Sequence, residues 1–162
     1  MRVGIGCDHN AVAFKETIKR FLEEKQYEVT DFGCHQGDVV DYPDVAFEVA
    51  QAISEGLLDR GILICGTGIG VAMAANKYPG IRAAQAHDTY SAERAQKSNN
   101  AQIITMGAQV IGTELGKQIA EAFLTSSFDE QRSGHKVRKI VEKEQQWLAG
   151  GKASESFRSS CS

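Results

Sequence analysis

The chain has 162 residues, 42% hydrophobic and 24% charged, enough to bury one sizeable core and too few for two ordinary domains. Eighteen Lys and Arg face 21 Asp and Glu, a formal charge of −3, so bulk electrostatics favour neither nucleic acid nor an anionic membrane as partner, and any anionic ligand must be held locally. Sixteen glycines against two prolines, without a repeating period, point to tight turns and backbone-lined sites.

The cysteines, Cys7, Cys34, Cys65 and Cys161, form no CxxC pair and no zinc spacing with histidine, so no metal is expected. No signal peptide precedes them, and the longest apolar runs, such as residues 61–65, fall far below the roughly 20 residues of a membrane span. A reduced, soluble, cytoplasmic protein is the expectation.

Apolar β-type runs alternate with amphipathic stretches. Residues 3–7 read as a first strand, too apolar throughout to have a wet face, and Asp8-His9-Asn10 offers the start of a helix running to about Lys25 with Val12, Ile18, Phe21 and Leu22 near helical spacing. Residues 27–32 are a second strand. Asp41-Tyr42-Pro43 opens a helix with Val45, Val49, Ala52 and Ile53 on one face until Gly56 stops it. Residues 61–65 form the third strand, followed by Gly66-Thr67-Gly68-Ile69-Gly70 and a small-residue helix to Lys77. Residues 81–86 and 102–106 supply the fourth and fifth strands around a helix over 89–98, and further helices cover 112–124 and 136–148. Residues 1–149 read as one domain, and the Ser-, Gly- and Lys-rich residues 150–162 as a disordered tail.

Strands joined by helices in this way specify an α/β fold, a three-layer αβα sandwich around a Rossmann-like, doubly wound, five-stranded parallel sheet. Its ligand site belongs at the carboxyl ends of strands beside the switch point, which predicts that Cys7-Asp8-His9 and the Cys65 loop are neighbours.

A thiol at a strand end before glycines and a helix start sits where amides favour a thiolate, so Cys65 reads as a nucleophile or base, or else as a buried cysteine beside an ordinary turn. The glycine spacing matches neither GxGxxG nor a P-loop. Asp8 is either a carboxylate exposed in a cleft or the cap of the following helix. Tyr42 either opens its helix or also presents its hydroxyl to the cleft.

Several blocks occur in a telling order: Gly6-Cys7-Asp8-His9, Asp41-Tyr42-Pro43, Gly61 to Gly70, Ala74-Ala75-Asn76-Lys77 with Pro79-Gly80-Ile81-Arg82-Ala83, and Asn99-Asn100-Ala101-Gln102. Together they resemble the type B ribose-5-phosphate isomerases, a family that also holds allose- and galactose-6-phosphate isomerases, over residues 1–148. The resemblance implies cofactor-free aldose–ketose isomerisation of a sugar phosphate through a cis-enediolate. In that family the cysteine matching Cys65 is the base, the residue matching Thr67 handles hydroxyl protons, and the amides of Gly66, Gly68, Ile69 and Gly70 stabilise the enediolate. Asp8 matches a residue contacting the sugar, His9 one reaching the phosphate, and Tyr42 one lining the pocket. Asn99 matches a residue contributed across a dimer interface, which implies a homodimer or dimer of dimers with shared sites.

The chain also departs from the pattern. The histidine that family members carry before the Asn99 position, which assists opening of the furanose ring, is Ser98 here, and a serine is no acid near neutral pH. His87 is the candidate replacement, or else a surface residue at a helix start. The family's Gly-x-Arg-Val is Gly107-Ala108-Gln109-Val110, which loses a guanidinium, and its Arg-His-x-x-Arg-Val is Arg132-Ser133-Gly134-His135-Lys136-Val137. His9, Arg132, His135 and Lys136 remain as the phosphate-binding set, the last three having a solvated helix start as their alternative reading.

Ribose 5-phosphate is the family's default substrate, whereas the missing histidine points to a short or open-chain one such as erythrose 4-phosphate. Two other functions stay open: a non-catalytic flavodoxin-like module binding an anion at the glycine loop, and a thiol hydrolase using Cys65.

Overall fold

The structure, a computed structural model, describes residues 1–150; the remainder of the tail expected to be disordered, with Cys161, lies outside the described residues. The elements are β1 (Arg2–Cys7), α1 (Val12–Glu24), β2 (Glu28–Asp31), α2 (Tyr42–Ser54), β3 (Arg60–Cys65), α3 (Ile69–Ala75), β4 (Ala83–Gln85), α4 (Thr89–Asn99), β5 (Ile103–Gly107), α5 (Thr113–Leu124) and α6 (Glu130–Leu148). All pairings are parallel, in the order β2-β1-β3-β5-β4.

The direction of each crossover decides which face its helix covers, because parallel connections are right-handed. The connections from β1 to β2 and from β4 to β5 run one way along the sheet, and α1 and α4 accordingly share one face with α5. Phe14, Ile18, Leu22, Ala92, Ala95, Ile119 and Phe123 pack there on Ile5, Ile62, Ile64 and Ile104. The connections through α2 and α3 run the other way, and Val45, Val49, Val71 and Ala75 pack on Leu63 and Ile103 of the opposite face. This is the doubly wound αβα sandwich expected from the sequence. The connection leaves β1 in one direction and β3 in the other, so the switch point falls between these two neighbours.

Most boundaries shift by a residue or two from the sequence reading, and three differences have a clear physical reason. The fourth strand is confined to Ala83–Gln85, and at its start the Arg82 amide goes to the Gln102 side chain at 2.8 Å while only the Arg82 carbonyl bonds the neighbouring backbone. The last helix begins at Glu130 rather than Lys136. Asp129 caps it by accepting the Arg132 amide at 3.1 Å, and Ser133 and Gly134, which precede the expected start, are buried small residues inside it. Asp8 does not cap α1, whose cap position is Ala11.

Lys15 is wholly buried on α1 beside the apolar seam. It is accommodated because Nζ donates to Asp31 at 2.7 and 2.9 Å and to the Cys34 carbonyl at 3.1 Å, with Glu16 at 3.0 Å. Glu16, Asp31 and His35 approach one another closely enough to suggest a cation site, but Lys15 and Lys19 already supply the positive charge there. Among the described residues no helix is long and apolar enough to cross a membrane.

Candidate active site

The first and third strands end side by side, Cys7 opposite Ile64, and the Asp8 amide continues the ladder by donating to the Ile64 carbonyl at 3.2 Å. The two segments singled out in the sequence are therefore neighbours at the carboxyl edge of the sheet. Asp8 is only 6% exposed, yet no cation pairs with it among the described residues. Its carboxylate accepts the Asn10 amide at 3.0 Å and the Asn10 side chain at 3.4 Å. A buried carboxylate without a counter-ion is costly, which marks Asp8 as a candidate to meet a ligand.

Cys65 closes β3, and its sulfur accepts the Gly68 amide at 3.1 Å. The loop that follows is held by its carbonyls. Cys65 O accepts from the Ala108 amide at 2.9 Å, Gly66 O from the Gln109 amide at 3.0 Å, Thr67 O from the Gln85 side chain at 2.7 Å, and Gly68 O from the Thr105 hydroxyl at 2.7 Å. All four partners belong to β4, β5 or the segment after β5. In a planar trans peptide the N–H points opposite to the C=O, so tying these four carbonyls down turns the amides of Gly66, Thr67, Gly68 and Ile69 away from β5. Gly68 N–H meets the thiol, Ile69 N–H meets Thr67 Oγ1 at 3.2 Å, and those of Gly66 and Thr67 make no hydrogen bond among the described residues. The arrangement is a set of fixed donors beside a sulfur, suited to stabilising negative charge that develops there.

Two glycines are required by this geometry. Gly68 has φ +76°, and a Cβ on it would lie 2.7 Å from the Met106 carbonyl carbon. On Gly70 a Cβ would meet the Tyr42 ring at 2.7 Å, so Tyr42, at the start of α2 and partly exposed, lies against the loop and walls the cleft. Two further thiols, Cys7 and Cys34, are buried away from the loop. Burial pushes Cys7 up to about 12, against the pull of Lys15, and burial also raises Cys34.

The remaining sequence candidates fall into two groups. His9 is exposed beside Asp8 and, with Asn10 and Glu16, lines a cavity of about 540 Å³. His87 stands after β4 with Nε2 accepting the Gly107 amide at 2.9 Å, which places its ring proton on Nδ1 and makes it a strut between strands; Asp88, not His87, caps α4. Asn99, however, is the last residue of α4, at the amino edge of the sheet, the edge opposite Cys65. Arg132 joins it there, since the Asp129 amide donates to the Lys97 carbonyl at 3.0 Å, and His135 and Lys136 follow on the same exposed face of α6. A single chain brings Asp8, Tyr42, Cys65, Thr67 and the loop to one edge of the sheet, with His9 next to Asp8 but lining a separate cavity on α1, and leaves Asn99, Arg132, His135 and Lys136 apart from them. Thr105 and Gln85, the side chains that orient the loop, were missed. Thr105 left one signal, a lone hydroxyl within an apolar strand.

A cysteine and a donor-lined loop at the switch point of such a sheet suit proton transfer beside a developing negative charge, and sequence comparison identifies the class of enzyme. The Ribose/Galactose Isomerase family model matches residues 3–140, and the chain belongs to this family of sugar-phosphate isomerases, as an aldose–ketose isomerase. It is 52% identical over 141 residues to D-erythrulose-4-phosphate isomerase of Pectobacterium atrosepticum, covering 86% of this chain and 93% of that one. It is 50% identical over 145 residues to Ribose-5-P isomerase B of Listeria innocua, covering 90% and 98%. The solved ribose-5-phosphate isomerase B of Clostridium thermocellum matches with a TM-score of 0.88 and 44% identity over 91% of this chain and 99% of that one. Family membership decides against both the non-catalytic module and the thiol hydrolase.

Proposed function

We propose that the protein interconverts the aldose and ketose forms of a short sugar phosphate, with erythrose 4-phosphate and erythrulose 4-phosphate as the pair, by proton transfer at Cys65. As thiolate, Cys65 removes the proton from C2 of the aldose and returns it to C1 of the cis-enediolate, while a proton passes from O2 to O1, a transfer assisted by Thr67. The reaction moves protons only, so it has no need of a cofactor. Gly66, Gly68, Ile69 and Gly70 supply the amides that face the enediolate oxygens, and Asp8 holds the sugar hydroxyls. The carrying observation is the Gly68 amide set on the Cys65 sulfur at 3.1 Å, within a loop whose other amides face the same way.

The two-group arrangement supports a homodimer or larger assembly in which Asn99, Arg132, His135 and Lys136 of one copy complete the cleft formed by Cys65, Asp8 and His9 of another. The phosphate then lies between His9 and that cationic set.

Ser98 supports the tetrose. A ribose phosphate closes a furanose that an acid must help open, whereas in erythrose 4-phosphate O4 carries the phosphate and no furanose can form. The relatives carry names of both kinds at 52% and 50% identity, so the substrate rests on chemistry rather than on overall likeness. Assayed side by side, the purified protein is expected to show kcat/KM at least about tenfold higher on erythrulose 4-phosphate than on ribose 5-phosphate, one decade corresponding to about 1.4 kcal/mol of transition-state discrimination. Equal efficiency on both sugars would refute the short-substrate reading.

A further inference from the structure

The block Pro79-Gly80-Ile81-Arg82-Ala83 has no place in the cleft, for it lies at the amino edge of the sheet, where β4 begins and α4 ends. Arg82 is half-buried there and has no carboxylate within ion-pair distance among the described residues. Its guanidinium serves carbonyls instead. Nε donates to Asn99 O at 3.2 Å and to Asn100 O at 3.1 Å, Nη2 to Asn100 O at 2.8 Å, and Nη1 to Gly80 O at 3.4 Å. Asn99 is the last residue of α4 and Asn100 its cap, at φ +48°. The fork thus closes on carbonyls that a helix end leaves without internal partners, and its charge meets the negative end of the helix dipole. Two neighbours hold the fork in turn. The Gln102 side chain accepts the Arg82 amide at 2.8 Å and donates to Gly80 O at 2.9 Å, while the Asn76 side chain bonds both backbone groups of Ala83 at 2.8 Å. Three blocks far apart in the sequence therefore meet around the end of α4.

We infer that Arg82 is a positioning residue for Asn99, and that through it one copy of the chain sets the geometry of the cleft in another. The inference rests on the proposed sharing of clefts between copies. Asn99 is exposed, so what places its side chain before it meets a second copy is the backbone it leaves from. Arg82 fixes that backbone at Asn99 itself and at the residue after it. With a neutral side chain at position 82 the last turn of α4 frays, as helix ends do, and Asn99 reaches the other cleft displaced. A displacement of about 1 Å at a contacting residue costs up to about a hundredfold in rate. Cys65 and its loop in the same chain lie at the opposite edge of the sheet and keep their own anchors on Gln85 and Thr105. The lesion is therefore felt in the neighbouring copy's cleft and spares the cleft of its own chain, a pattern that an arginine needed only for stability would not produce.

The test is complementation between impaired copies. Arg82→Met and Arg82→Lys are purified alone and, under a second affinity tag, co-expressed with Cys65→Ala, so that purification through both tags yields assemblies holding both chains; circular dichroism establishes that each is folded. Activity is read on erythrulose 4-phosphate or ribose 5-phosphate, whichever the wild type turns over faster. Alone, Arg82→Met should lose about tenfold or more in kcat/KM, and Arg82→Lys, which keeps the cation without the fork, several-fold. In a mixed dimer one cleft carries both lesions and the other neither, so Arg82→Met with Cys65→Ala should regain between about a quarter and a half of wild-type activity. If Arg82→Met does not fold, Arg82→Lys with Cys65→Ala should show the same recovery. Full activity of the Arg82 variants alone overturns the inference, and so does a mixed assembly no more active than the mean of its parents. Asn99→Ala with Cys65→Ala separates the two readings. Recovery there without recovery from the Arg82 variants leaves the clefts shared and removes Arg82, whereas no recovery in either overturns the sharing and the inference together.

Discussion

Gly68 donates its amide hydrogen to the sulfur of Cys65 over 3.1 Å, and the peptide that carries this amide is anchored at its other end, where Thr67 O accepts from Gln85 at 2.7 Å. The next peptide is anchored in the same way by Thr105. The donor array beside the thiol is thus fixed before any substrate arrives, which is what makes such donors effective when charge develops.

Removing one anchor should therefore impair turnover without much effect on binding. Thr105→Val keeps the shape of the side chain and leaves Gly68 O without its buried hydroxyl partner. A fall in kcat of roughly tenfold with KM within about a factor of two is expected, in line with about 1–2 kcal/mol for a lost buried hydrogen bond. Thr105→Ser should recover most of the loss. Steady-state kinetics on the three proteins, with matched circular dichroism, measures it.

Gly68→Ala tests whether the loop is seated on β5. At φ +76°, with a Cβ 2.7 Å from the Met106 carbonyl carbon and 3.1 Å from the Gly107 nitrogen, any side chain forces the loop off the strand. A loss of about 2 kcal/mol, seen as a fall of roughly 4–8 °C in Tm, should accompany loss of activity. An unchanged melting curve contradicts the seating.

Asp31 predicts an acid limb to stability. Burial alone would push its carboxyl up, but the bonds from Lys15, the Gly33 amide and Lys19 outweigh burial and hold it at about 2. The folded value lies below the unfolded one, near 3.8. The ionised form is therefore favoured by folding, and its contribution of about 2 kcal/mol is present above about pH 4 and is lost as pH falls to about 2. Urea unfolding of the wild type and Asp31→Asn at pH 7, 4, 3 and 2 should show a gap between them that narrows through this window. A constant gap would count against the pairing.

Ser98→His restores an acid at the position where the sequence departs from its relatives. The ratio of kcat/KM on ribose 5-phosphate to that on erythrulose 4-phosphate should rise several-fold. An unchanged or lower ratio removes Ser98 from the account of substrate length.

The sequence made some of this legible and hid the rest for definite reasons. The strands β1 and β3 stand out because central parallel strands are apolar on both faces, whereas β4, at the edge, keeps only three residues and its flanks read as more strand than they are. The start of α6 was hidden because Ser133-Gly134 resembles a break, when Asp129 had already capped the helix four residues earlier. Asp8, Cys65 and the glycine loop were visible as residue types at strand ends. Their anchors were not, because Thr105 lies 37 residues from Gly68 and Gln85 lies 18 from Thr67, distances over which no local pattern pairs a donor with a carbonyl. The separation of Asn99 from Cys65 likewise emerges only once α4 is seen to run from one edge of the sheet to the other.

The central claim is that Cys65 is the base. Cys65→Ala, incubated with erythrulose 4-phosphate in D2O and followed by proton NMR, measures this directly, with circular dichroism reporting the fold. Wild type should exchange the transferred hydrogen with solvent and form aldose, while the folded variant should lose at least about a thousandfold of both rates. A folded Cys65→Ala protein that still exchanges or isomerises near the wild-type rate would contradict the assignment.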